Sequence, residues 1–133
     1  MKAKTKNSLK KIIKFAKEGK LKAKEGNGCV YHDKEKGTYC AIGCLLSKNL
    51  LKELEENNMN DGLSASGLFE EYPDLETKLG FTSDQADVIQ AMHDNWVDGR
   101  SEKRKFISTL EKLISGKITG VGTSRFTGAT VSF

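Results

Sequence analysis

The sequence has one proline, one tryptophan and three cysteines in 133 residues, and it contains no long apolar run. A transmembrane helix needs about 18 or more consecutive apolar residues, so we expect no membrane span. The N-terminus is basic but has no apolar segment of the kind found in secretory signals, and we expect no such signal. An odd number of cysteines in a lysine-rich chain fits a reducing compartment better than a disulfide framework, which predicts a cytoplasmic protein.

Apolar residues recur at helical spacing in several stretches, which predicts a folded and mainly helical domain. Asn7 or Ser8 is expected to cap a first helix that ends near Glu18 and Gly19. Its apolar stripe has the i, i+3, i+4, i+7 spacing and consists of Leu9, Ile12, Ile13 and Ala16.

Four further helices are predicted along the chain. One begins near Cys40 and continues through a leucine-rich face, and a short one covers residues around 66–71. Thr82 opens a capping box with Gln85, which predicts a clear helix start. Ser101 is expected to cap the last helix, which Gly116 ends.

Two stretches favour β structure. Residues 29–40 predict a hairpin around a polar turn that ends at Gly37. The tail is almost uncharged, and its last residues alternate as in a strand, which predicts a β-turn-β unit or an extended arm. We therefore predict an α+β fold in a single, mainly helical domain: a helical core at 1–116 with the 29–40 hairpin, and a glycine-containing β tail at 117–133. Such a tail completes its own domain's sheet or pairs with a partner, so homo-oligomers are possible.

The most apolar run of the chain is Tyr39–Leu46, which contains two of the three cysteines. Its small residues Ala41 and Gly43 leave room for another stretch of backbone to approach closely.

The motif C-x-x-G-x-L in this run, followed much later by a His-Asp pair, resembles a loose group of small phage and bacterial proteins of unknown function. Their recurring core is C-x-(I/L)-G-A-L with a later Asn-Asp pair. This chain departs from that core with Cys44 in place of alanine and His93 in place of asparagine. The resemblance covers residues 8–115 and implies a fold and a phage or mobile-element setting, but no activity. The matching residues are Cys40, Ile42, Gly43, Leu45, His93 and Asp94.

A thiol enzyme is one interpretation of the same residues. Cys40 is expected at the N-terminus of a helix, where a thiol's pKa falls and cysteine nucleophiles are often found. His93 could then act as the base and Asp94 as its orienting partner in a hydrolase or transferase. The alternative is that Cys40 is a small buried residue and that His93 and Asp94 form a structural hydrogen bond.

A zinc-stabilised interaction module is a second interpretation. Cys29, His32, Cys40 and Cys44 offer ligands of the right softness for zinc, and the hairpin could bring them together. The spacing matches no familiar zinc finger, so we predict no metal and no cofactor.

Charge is distributed unevenly along the chain. Residues 1–36 contain 12 lysines against four acidic residues, whereas the remainder is mildly acidic within a formal net charge of +4. A cationic region of this kind suits an anionic ligand, nucleic acid or an acidic partner protein, or it simply solvates a helix face. Few aromatic residues lie among these lysines, which argues against stacking on single-stranded nucleic acid.

A glycine-hydroxyl-arginine run at 120–125 could hold an anion with its backbone amides, although it lacks the lysine of a P-loop. Trp96 is expected to be a core anchor, and the acidic cluster at residues 70–76 is expected to be a solvated surface. The prediction for function is a non-enzymatic binding protein that captures an anionic host component, either a nucleotide-like signal or nucleic acid, or else a host protein. The predicted binding residues are Lys10, Lys14, Arg100, Arg104, Gly122, Thr123, Ser124 and Arg125.

Overall fold

The computed structural model describes residues 1–22, 30–123 and 128–133, and it confirms the predicted α+β, mainly helical fold. The helices are α1 (Ala3–Lys17), α2 (Lys48–Glu56), α3 (Ala65–Glu71), α4 (Asp74–Leu79), α5 (Ser83–Val97) and α6 (Lys103–Ser115). The strands are β1 (His32–Asp33), β2 (Thr38–Tyr39), β3 (Gly120–Thr123) and β4 (Thr130–Ser132), and a single 3₁₀ turn covers Gly43–Leu45.

Helix α1 buries the predicted apolar stripe in the core, but it begins at Ala3 and not after Asn7 or Ser8. The predicted cap is wrong because the Ser8 hydroxyl is used elsewhere: it donates a hydrogen bond of 2.7 Å to the carbonyl oxygen of Leu79. The Thr5 hydroxyl donates to the Gly80 carbonyl in the same way. Both hydroxyls therefore join α1 to the end of α4, a contact that local sequence does not reveal.

The segment after β2 does not continue as the predicted helix from Cys40. It forms the 3₁₀ turn, extends at Leu46, and begins α2 only after Ser47, whose side chain accepts a hydrogen bond from the Leu50 amide. The interruption follows from packing, because Gly43 lies directly against the backbone of Tyr31. Cys40 thus precedes a single tight turn and not the N-terminus of an α-helix.

The boundaries of α5 and α6 are partly as predicted. Thr82 and Gln85 form the complete capping box of α5, and Gly116 ends α6 in the left-handed conformation. The N-cap of α6 is Glu102, without a side-chain bond, and not Ser101. Ser101 instead belongs to the turn that closes α5, since its amide donates to the Asn95 carbonyl.

Two antiparallel hairpins account for the strands. The first pairs His32 with Tyr39, at the centre of the predicted hairpin, while Cys29 lies outside the described residues. The second pairs β3 with β4 and confirms the β-turn-β interpretation of the tail. Val131 of β4 is buried and Phe133 contacts Phe81 edge to face, so this hairpin packs on its own domain.

Within the three described ranges, no helix is both long enough and apolar enough to cross a membrane.

Replacing Gly43 with alanine is expected to destabilise the protein by about 3 kcal/mol or more. A Cβ atom there would collide with the Tyr31 carbonyl and lie 2.9 Å from the Tyr31 Cα, and backbone cannot move aside as a side chain can. Urea unfolding followed by circular dichroism measures the loss.

The matched control is Gly37→Ala, at a positive φ of 66° with open space around it. It should cost about 1 kcal/mol, the strain of the left-handed conformation alone. Equal losses in the two variants would contradict the close approach at Gly43.

Candidate functional site

His93 is buried between two stretches of backbone that it holds together. Its Nε2 lies 2.8 Å from the carbonyl oxygen of Lys22, and its Nδ1 accepts a hydrogen bond of 3.2 Å from the Ala41 amide. A carbonyl can only accept, so Nε2 carries the proton and the ring is neutral. We call this arrangement of His93, Lys22 and Ala41 the histidine clip.

The surroundings of the clip favour the neutral ring. The imidazole is 1% exposed and lies against the rings of Trp96 and Phe106. Burial lowers the pKa of His93, although the hydrogen bond to the Lys22 carbonyl opposes this shift. Trp96 is buried, as expected of a core anchor.

One turn away on α5, Gln90 extends the same fixation. Its Oε1 accepts from the Ile42 amide at 3.4 Å, and its amide nitrogen donates to the carboxylate of Asp94 at 2.9 Å. Gln90 and His93 therefore bind the backbone amides of two successive residues, Ile42 and Ala41. We call residues 40–44 the Cys40 segment.

The two described cysteines are thiols within the core. Cys40 is 2% exposed, and its sulfur accepts a hydrogen bond from the Gly43 amide. The Cys44 thiol donates to the Ala41 carbonyl, and burial raises its pKa to about 12.

The structure thus places the three residues of the thiol-enzyme hypothesis in one region, yet with other bonds. Both ring nitrogens of His93 are engaged with backbone, so neither is available to take a proton from Cys40. The thiol itself lies beneath the surface, where a substrate does not reach it.

The zinc hypothesis finds no cluster in the parts of the chain that can be described. Across residues 1–22, 30–123 and 128–133, no group of three His, Cys, Asp or Glu side chains is placed to hold a metal ion. The His32 ring stacks on Tyr39 with centroids 4.4 Å apart, and Cys29 lies outside these residues.

A depression at the C-terminal end of α5 contains part of the predicted anion site, and it shares Phe106 with the surroundings of the clip. It has a volume of about 290 Å³ and lies between the end of α5, the start of α6 and β3. Met92, Phe106 and Val121 provide its apolar surface. Its polar lining, which defines the Arg100–Lys105 pocket, consists of Asn95, Arg100, Ser101, Lys105 and Thr109.

The pocket joins two features that are distant in sequence. Arg100 lines the pocket, and so does Val121 of β3. The same strand contains Gly122 and Thr123, which are both exposed. Ser124 and Arg125 lie outside the described residues.

The other predicted cations lie elsewhere. Arg104 is not part of the pocket lining; its side chain is 90% exposed and lies 3.4 Å from Glu102. Lys10 and Lys14 are on the exposed face of α1, whose buried face packs against α6.

Sequence reasoning did not assign Lys105, Thr109 or Asn95 to the anion site. Lys105 and Thr109 are four residues apart on α6, which places them on one helix face beside Ser101. That spacing was visible in the sequence, but the approach of α5 and β3 to this face was not.

Comparison of the chain with models of known protein families, with curated proteins and with solved structures gives no match. The resemblance to small phage and bacterial proteins therefore stays a prediction, and what this protein binds has to be inferred from its own residues.

Cys40 and Cys44 are expected to react slowly with iodoacetamide in the folded protein. With a pKa of about 12, Cys44 has only about one thiolate in ten thousand molecules at pH 8. Peptide mass spectrometry after timed labelling, with and without urea, should show both sites reacting only on unfolding. Fast labelling of Cys40 in native buffer would restore the thiol-enzyme hypothesis.

The histidine clip predicts a pH dependence of stability. The unfolded chain binds a proton at His93 below the ordinary pKa of 6.5, whereas the folded chain, with its lowered pKa, does not. Stability should therefore fall as pH drops below 6.5, by at most about 1.4 kcal/mol per pH unit from this residue.

Urea midpoints measured across this range test the clip. His93→Gln keeps a donor for the Lys22 carbonyl but cannot titrate, so its midpoint should change less with pH than that of the wild type. Parallel pH profiles for the two proteins would show that His93 is not buried in its neutral form.

Proposed function

We propose that this protein is a non-enzymatic binding protein that captures a small anionic ligand in the Arg100–Lys105 pocket. The observation that carries the proposal is that two cations, Arg100 and Lys105, line one depression whose described lining contains no acidic residue. Among the described residues, no Asp or Glu lines the pocket, and neither Arg100 nor Lys105 forms an ion pair.

The electrostatics of this arrangement favour an anion. Two like charges near one another raise the local positive potential, and a bound anion relieves that repulsion. The guanidinium of Arg100 can donate two parallel hydrogen bonds to a phosphate or carboxylate, and the ammonium of Lys105 adds a compact charge. The Asn95 amide and the Ser101 hydroxyl supply further polar groups within the same lining.

The size and the apolar surface narrow the ligand class. A volume of about 290 Å³ is near the lower limit for a small-molecule site. Met92, Phe106 and Val121 offer one apolar wall, which suits a flat ring attached to the anionic group. A nucleotide-like molecule combines these two parts.

The α1 lysines support a separate, diffuse attraction. Lys10 and Lys14 do not line the pocket, so they attract an anion at long range but do not fix its position. A long nucleic acid would depend on these lysines, whereas a small ligand would depend on Arg100.

The biological setting follows from the resemblance to phage and bacterial proteins. In a phage or mobile element, a protein that sequesters a nucleotide-like signal withholds it from the host component that uses it. This role needs affinity and no chemical step, in keeping with the burial of Cys40 and Cys44.

Titration calorimetry against inorganic phosphate, mononucleotides, cyclic dinucleotides and a short oligonucleotide at low ionic strength tests the proposal. Arg100→Ala should weaken binding of the best ligand by roughly 10- to 100-fold, the effect of a lost charge-assisted hydrogen bond. Arg104→Ala is the matched control, since it removes the same charge nearby but outside the pocket, and it should change affinity less than about threefold.

Absence of heat with every probe, or equal losses in the two arginine variants, would refute the pocket as the site. Loss of binding in a Lys10→Ala/Lys14→Ala variant, with Arg100→Ala unaffected, would instead assign the activity to the α1 surface and to longer polyanions.

A further inference from the structure

A second depression lies between α2 and the turn that joins α3 to α4. Its volume is about 570 Å³. Leucines from three separate elements form its apolar surface, and they define what we call the leucine groove: Leu45, Leu46, Leu50, Leu75 and Leu79.

The groove lies between two points at which helical structure is interrupted. Leu46 is extended between the 3₁₀ turn and α2, which leaves Leu45 and Leu50 half-buried. Pro73 separates α3 from α4 on the other side. Tyr72 and Glu53 of α2 both line the groove, and the interaction with Glu53 raises the pKa of the Tyr72 phenol.

The rim of the groove is acidic. Glu53, Glu71 and Asp74 line it, and Lys78 is the only cation among the described lining residues. In the part of the chain that the structure describes, none of these three carboxylates forms an ion pair. Two members of the acidic cluster expected to be plain solvated surface, Glu71 and Asp74, therefore border an apolar depression.

We propose that the leucine groove docks a basic amphipathic segment of a partner protein. An apolar floor with an acidic rim is complementary to a helix that presents leucine-type side chains at i and i+3 or i+4, flanked by lysine or arginine. Contact with the leucines of the groove would remove the apolar side chains of the bound segment from water. The carboxylates of the rim would orient the segment and select for positive charge.

Other occupants fit this surface less well. Nucleic acid and anionic lipid are repelled by the three carboxylates. A second copy of the chain offers a lysine-rich helix in α1, but the apolar stripe of α1 is buried in its own core and cannot enter the groove.

This site is independent of the Arg100–Lys105 pocket. The two depressions share no lining residue, and they lie on α2–α4 and on α5–α6–β3 respectively. Failure of either proposal leaves the other standing.

Fluorescence anisotropy with a labelled helical peptide of leucine and lysine, about 15 residues long, tests the groove. The control peptide has the same leucines with glutamate in place of lysine. We expect the basic peptide to bind at least tenfold more tightly than the acidic one, and amide shifts in NMR spectra to change at Leu50 and Leu75 but not at Val121.

Variants at the rim make the test specific. Glu71→Gln/Asp74→Asn, both at exposed positions, should weaken binding of the basic peptide roughly five- to tenfold. Glu70→Gln, an exposed acid next to Glu71 that does not line the groove, should change it less than about twofold.

Three results would overturn the proposal: no binding of the basic peptide, equal affinity for the two peptides, or equal affinity of the rim variant and the wild type. Sedimentation velocity adds a fourth. A dimer that dissociates in a Leu50→Glu variant would assign the groove to a second copy of the chain.

Discussion

The imidazole of His93 binds two stretches of backbone, at Lys22 and at Ala41, that a short parallel bridge between Leu21 and Tyr39 also joins. Each bond on its own contributes only about 1 kcal/mol. A buried amide or carbonyl left without a partner costs about 1–3 kcal/mol. Removal of the ring would therefore lower the free energy of unfolding by more than the two hydrogen bonds contribute. Gln90 repeats the contact at Ile42, and Gly43 lets the Tyr31 backbone lie directly against the same turn. Four residues of the Cys40 segment, Cys40, Ala41, Ile42 and Cys44, belong to the hydrophobic core.

The Cys40 segment is fixed by internal hydrogen bonds, and the proposed binding surfaces lie elsewhere on the protein. The side chains of Cys40, Cys44 and His93 take part in internal hydrogen bonds. The exposed side chains instead divide into three surfaces: a cationic pocket at α5–α6–β3, a lysine-covered face of α1 and an acid-rimmed groove at α2–α4. With opposite charges on separate faces, the two proposed ligands would bind without competition between them.

Local signals in the sequence predicted the elements that local interactions determine. The capping box at Thr82, the end of α6 at Gly116 and the apolar stripe of α1 all depend on residues within one or two turns of one another. Ser8 and the helix from Cys40 were predicted wrongly because their true partners, Leu79 and Tyr31, are distant in sequence.

The candidate sites show the same division. Arg100 was recognised from its charge, but its position beside Lys105 and Val121 depends on how α5, α6 and β3 pack. His93 was considered as the base of a thiol site or as part of a structural hydrogen bond, and only the approach of Lys22 and Ala41 shows why its polar ring is buried. The acidic cluster was visible as composition, whereas the leucines it borders come from residues 45–50 and 75–79.

The histidine clip and the Arg100–Lys105 pocket are built on the same turns of α5, because Met92 and Asn95 flank His93. The apolar wall is thus already in place before any ligand arrives, and little backbone ordering accompanies entry. The long side chains of Arg100 and Lys105 would still have to become ordered when a ligand binds. The lifetime of a complex would therefore depend on how fast the anion dissociates from these two side chains.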